Sequence, residues 1–171
     1  SGAGGGVSCK EEGFFSCKVP ADWKLWRDET DDAADKTYGI VLKGPKAQGV
    51  PARITVFYYD PANRSFPGAA DYVKAQLGES PLGPDGLKKG AIKAVEVGGR
   101  KARRFWRQAR EFVPPDAVDA KTVLLRQERV VVEHSQGFFV LSLEALESDF
   151  RRHLPAFERV VSTFRPFPES K

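Results

Sequence analysis

Methionine is missing from the 171 residues, and histidine and cysteine occur only twice each. A chain without even an initiator methionine is expected to begin at a processing site or a cloning cut. The histidines, His134 and His153, fall in neither His-x-x-x-His nor His-Glu-x-x-His spacing, so no zinc centre is expected. Both are expected at the surface, His134 in a hairpin turn and His153 on the polar side of a helix. No stretch approaches the roughly 18 consecutive apolar residues of a membrane span. Gly-x-Ser-x-Gly elbows and phosphate-cradling glycine loops are absent, and no sequence cue ties a serine to a histidine base. These absences weigh against an enzyme, and no cofactor is expected.

What is present describes an ordinary globular chain, with 41% hydrophobic and 29% charged residues. The net charge of +4 is mildly basic, short of what nucleic-acid binders usually carry, so no nucleic-acid partner is expected. Residues 1–12 open with Ser-Gly-Ala-Gly-Gly-Gly-Val-Ser, uncharged and almost without side-chain volume. Such a segment cannot recover its ordering entropy and reads as a flexible tether. An exported protein after signal-peptide removal would begin this way, and so would a lipoprotein trimmed beyond its anchoring cysteine. A cloning remnant is the plainer alternative.

Cys9 and Cys17 admit two readings. A disulfide between them would close a short loop, worth roughly 2.5 kcal/mol on the chain-entropy estimate. Alternatively Cys17 is a buried free thiol, because Phe15-Ser16-Cys17-Lys18-Val19 alternates with its odd positions apolar.

Along the chain, strands are expected at Phe14–Val19, Trp23–Arg27, Tyr38–Leu42 and Ala52–Tyr59, the third ended by Gly44-Pro45. Ala69, Val73 and Leu77 mark a helix stopped by Gly78. Ala91–Val97 and Arg100–Phe112 flank Gly98-Gly99, a two-residue hairpin signal. Val123–Glu133 and Phe138–Leu143 flank a second hairpin at His134–Gly137. The closing helix places Phe150, Leu154, Phe157, Val161 and Phe164 on one stripe. Pro155 either kinks this helix or opens a second segment of it. The order ββββ-α-ββββ-α argues for an α+β domain, a central antiparallel sheet with helices packed against it.

Two motifs stand at the ends of this order. One is Gly13-Phe-Phe-Ser-Cys-Lys-Val-Pro20-Ala-Asp-Trp23. The other is Gly137-Phe-Phe-Val-Leu-Ser-Leu-Glu-Ala145, continuing through Pro155-Ala-Phe157-Glu158-Arg-Val-Val161-Ser162-Thr-Phe164. With Val97-Gly98-Gly99-Arg100-Lys101-Ala102 in the middle hairpin, they resemble the PsbP-like family, which includes the photosystem II subunit PsbP and bacterial DcrB-type lipoproteins. The resemblance implies an α/β/α sandwich spanning residues 13–165, followed by a tail at 166–171. It also implies an exported protein of the bacterial periplasm, often held at the membrane by an N-terminal lipid. The family's roles are in binding and accessory work, without a shared active site. Nothing photosynthetic carries over, because the glycine tether does not match the plant subunit's functional N-terminus.

Candidate sites are few. Asp28, Asp31, Asp32 and Asp35 lie in an acidic loop whose oxygens would suit calcium, but the spacing and turn glycine of an EF-hand are missing. Such dense like charges favour a solvated loop, and no metal ligand is expected. Between Lys88 and Arg110 a basic run includes Lys101, Arg103, Arg104, Arg107 and Arg110. These could meet an anionic protein partner or lipid headgroups, or simply keep an exposed strand soluble. Strand alternation splits the arginines between two faces. The expected function is non-enzymatic binding or accessory work by a monomer in the cell envelope, with a small-ligand or cation-binding module as the alternative. The expected core is Phe15, Val19, Trp23, Ile54, Val56, Val73, Leu77, Phe139, Leu141, Leu143, Phe157, Val161 and Phe164.

Overall fold

The computed structural model describes residues 8–11, 15–26, 37–63, 65–77, 87–113, 118, 121–134 and 137–166. Twelve elements run along the chain: β1 (Ser8–Glu11), β2 (Phe15–Lys18), β3 (Lys24–Trp26), β4 (Thr37–Ala47), β5 (Val50–Tyr59), α1 (Ala69–Leu77), β6 (Lys93–Val97), β7 (Arg100–Val113), β8 (Lys121–Glu133), β9 (Phe138–Leu146), α2 (Phe150–Thr163) and β10 (Arg165–Pro166). Seven of the strands form one antiparallel sheet in the order β3-β4-β5-β9-β8-β7-β6. The α+β class and the sheet-with-helices plan are as the sequence predicts.

The centre of the sheet follows from its most apolar strand. In β9 every residue but Ser142 and Glu144 is buried, so both of its faces need covering, which only an interior strand obtains. The chain reaches this arrangement by carrying α1 from β5 to the far edge at β6. Three hairpin-linked strands then return until β9 closes against β5.

Side-chain parity divides the core in two. On one face Val130, Val132, Phe139, Leu141 and Leu143 pack with Phe150, Phe157, Val160 and Phe164 around α2. On the other, Phe105, Val131, Phe138 and Val140 pack with Tyr72 and Val73 of α1. The helices therefore lie on opposite faces, as in an α/β/α sandwich.

Several expectations need correction. The first expected strand is not part of the large sheet. β2 sits in a separate three-stranded sheet, β1-β2-β10, and sends Phe15 and Cys17, with Val19 just beyond its end, into the core on the α2 side. Phe15 meets Phe139 and Phe164 at ring distances of 6.1 and 5.8 Å. Residues 8–11, expected within a tether, pair with β2, and Pro166, expected in a tail, pairs with Phe15. β4 does not end at Leu42. Its register shifts between Lys43 and Lys46, and this irregularity absorbs Gly44-Pro45 and lets the strand continue.

The α2 stripe keeps Phe150, Phe157 and Phe164 as expected but passes through different residues between them. Its buried line runs Phe150, His153, Phe157, Val160 and Phe164, while Leu154 and Val161 flank it half-buried. Leu77 is likewise only partly buried, against the α1 cluster. Cys17 is buried but not a free thiol, being disulfide-bonded. The other cysteine, Cys9, stands opposite it in the β1–β2 register.

Candidate functional site

The five basic residues expected as a patch are not gathered into one. β7 pairs with β8 without a register break from Ala102 to Val113, so strict alternation holds. Arg103 and Arg107 join Lys101 on the α1 side, and Arg104 and Arg110 face the other way. Arg104 is a structural tie. Its Nε donates to Glu128 at 2.9 Å and its Nη2 to Glu158 of α2, with the guanidinium 5.4 Å from the Phe157 ring centroid. Burial works against its charge, but the hydrogen bonds to Glu158 and Glu128 more than offset this and leave its pKa raised. Lys101 and Arg110 are exposed. Arg103, 42% exposed, keeps only a loose ion pair to Glu133 at 3.7 Å.

Arg107 belongs to something the sequence did not reveal. On the α1 side the register aligns Arg53, Glu144, Gln127 and Arg107 across β5, β9, β8 and β7. The neighbouring rung holds Thr55, Ser142, Arg129 and Phe105. This polar band lies between the apolar cluster under α1 and a smaller one built on Val50, Leu125 and Leu146. Gln127, only 8% exposed, organises it. Its Nε2 donates to Glu144, while its Oε1 accepts from Arg107 Nε at 2.8 Å and Arg129 Nη1 at 3.0 Å. Arg107 Nη1 also donates to the Gln76 carbonyl at 3.0 Å, joining the band to the end of α1.

The electrostatics of the band are unbalanced. Burial and then the Arg129 charge push the Arg107 pKa down. Burial raises the pKa of Tyr72, with Arg129 pulling against it. One signal for this band was present in the sequence. Ser142 and Glu144 are the polar interruptions of Phe138-Phe-Val-Leu-Ser-Leu-Glu-Ala-Leu146, two apart and therefore on one face. What they faced could not be read without the pairing of β8 and β7.

His153 is not at the surface. It is 3% exposed, with Nε2 2.8 Å from Asp149 Oδ2 and its ring edge-on to Trp23 at 5.7 Å. Trp23 in turn lies over Gly44, where a Cβ would come within 2.7 Å of the indole. His134 is half-buried, its ring edge-on to Phe139 at 5.6 Å and Tyr58 at 6.2 Å. The acidic loop with Asp28, Asp31, Asp32 and Asp35 lies outside the described residues. Among the described residues no cluster of acidic, histidine or cysteine side chains could hold a metal ion. A shallow groove of about 480 Å³ opens between the Gly98-Gly99 turn and the end of α2, lined by Glu96, Glu158, Ser162 and Arg165.

The seven-stranded antiparallel sheet thus carries one helix on each face. Solved structures share it. LpqN, involved in cell envelope biogenesis of Mycobacterium tuberculosis, aligns with 96% of this chain and 86% of its own at 19% identity and TM-score 0.54. PA94, a protein of unknown function from Pseudomonas aeruginosa, aligns with 96% of this chain and 99% of its own at 19% identity and TM-score 0.55. The cyanobacterial PsbP of Synechocystis sp. PCC 6803 aligns with 90% of this chain and 86% of its own at 12% identity and TM-score 0.49. At these identities the likeness is one of fold. No protein-family model and no curated protein sequence matches the chain.

Proposed function

We propose that this protein is a non-catalytic binding module of the bacterial cell envelope, exported and held at a membrane by an N-terminal lipid. The disulfide at Cys17 carries the export reading, because structural disulfides persist in oxidising compartments such as the periplasm. The fold shared with LpqN, an envelope-biogenesis protein, supports the same setting. The binding reading is supported by how the histidines are used: His153 is locked between Asp149 and Trp23, and His134 rests on two aromatic rings. The partner is anionic, and it meets the cations of β7 on the α1 side near the sheet edge, the exposed Lys101 and the partly exposed Arg103.

The test is a pull-down from an envelope extract with the full exported chain, beside the double variant Lys101→Glu, Arg103→Glu. A parallel arm measures co-sedimentation with phosphatidylglycerol vesicles. Loss of a captured protein, or of vesicle binding, in the variant alone supports the reading and separates a protein partner from a membrane. The same captured set with the same vesicle binding would sink it.

A further inference from the structure

We propose that Arg107 and Arg129 form a binding site for one small oxyanion, a carboxylate or phosphate group, on the α1 side of the sheet. This site is separate from the edge cations above and does not depend on them.

The argument begins with charge. Arg107 and Arg129 sit diagonally on adjacent strands, and both donate to one neutral oxygen, Gln127 Oε1. Among the described residues neither guanidinium has an ion-pair partner. The carboxylate of the band, Glu144, forms an ion pair with neither guanidinium among the described residues; it is hydrogen-bonded to the Gln127 amide between them, its charge acts on Arg107 from there, and Arg53 stands opposite it on β5. Two half-buried positive charges thus share one carboxylate that pairs directly with neither. Half-buried cations left this way are costly unless something neutralises them.

Donor geometry points the same way. A guanidinium has five N–H donors. Arg107 places one on Gln127 and one on the Gln76 carbonyl. Arg129 places one on Gln127 and meets the Tyr72 side chain. The remaining donors of both suit the two or three oxygens of a planar or tetrahedral anion, which arginine binds bidentately. Gln127 cannot swing away to admit a different ligand. Its amide is held at both ends, by Glu144 and by the arginines, so the pair is pre-organised.

The experiment titrates the full chain with inorganic phosphate and, separately, with succinate, at constant ionic strength set by sodium chloride. Binding is read by calorimetry and by the side-chain Nε–H NMR signals of the arginines. Saturable binding of either anion that shifts the Arg107 and Arg129 signals and leaves Arg104 in place is the expected result. The anion that binds tells phosphate from carboxylate. Arg129→Gln is expected to weaken binding at least tenfold, with Lys101→Glu as a control that keeps it. No saturable binding of either anion, or shifts spread evenly over all arginines, would overturn the site. The NMR readout on the unaltered chain decides the matter even if Arg129→Gln fails to fold.

Discussion

Arg104 shows how one side chain can change role between a linear reading and a fold. It lies in a run of basic residues, yet its guanidinium is bound by Glu128 from the neighbouring strand and Glu158 from α2. Breaking such a partly buried pair leaves carboxylates without their cation. Arg104→Ala is expected to lower stability by about 2 kcal/mol in a urea titration. Glu158→Gln should cost much less, since Glu158 is 51% exposed and screened by solvent. Equal losses for the two variants would contradict the tie. The tyrosines make a pH prediction. Burial raises the pKa of Tyr59, foremost, and of Tyr72 and Tyr58 above the ordinary value near 10. The unfolded chain therefore loses these protons first as pH rises, so stability is intact below pH about 10 and declines above it. Urea midpoints measured from pH 8 to 11.5 should fall only in the upper part, and Tyr59→Phe should flatten that fall.

At the scale of elements, the β1–β2 hairpin and α2 carry the informative comparisons. A bridge from Cys17 to Cys9, which stands opposite it in the β1–β2 register, would close a short loop, and its reduction is then expected to cost roughly 2.5 kcal/mol. Alkylation without reductant followed by mass measurement should add no mass, and added mass at both cysteines would refute the bridge. In α2 the spacing gave a helix with an apolar face, but its buried line passes through His153 and Val160. The reason is Trp23 and Asp149. The indole supplies a surface for the imidazole and the carboxylate supplies its hydrogen bond, so a polar residue is buried satisfied. Hydropathy alone would never choose it. Pro155 lies inside this helix on its exposed side, where it removes a backbone donor and crowds the preceding turn. Pro155→Ala is expected to raise stability by roughly 2 kcal/mol. An unchanged urea midpoint would mean the local backbone has already accommodated the ring.

For the whole molecule, the division into faces decides where binding can occur. Because the β7 register is unbroken, its cations serve three ends: ties to α2, an exposed edge, and the polar band beside α1. Partner binding through the edge cations should weaken steeply as salt rises from 50 to 300 mM, since exposed charges are screened within about a Debye length. Binding unaffected by salt would point to another surface. The hairpin at Gly98-Gly99, both with positive φ, was legible because only a primed turn joins two twisted strands so tightly.

The sequence by itself determined the local conformations and the class. Period-two and helical apolar spacings, with glycine and proline punctuation, act over a few residues, and they specify the hairpins, the two helices and the α+β plan. Only the tertiary structure decided which strands became neighbours. That placed β2 in its own sheet, made Arg104 a tie and brought Arg107, Gln127, Arg129 and Glu144 onto one band. Those outcomes depend on register between segments far apart in the chain, and register is set by which apolar faces find one another during packing.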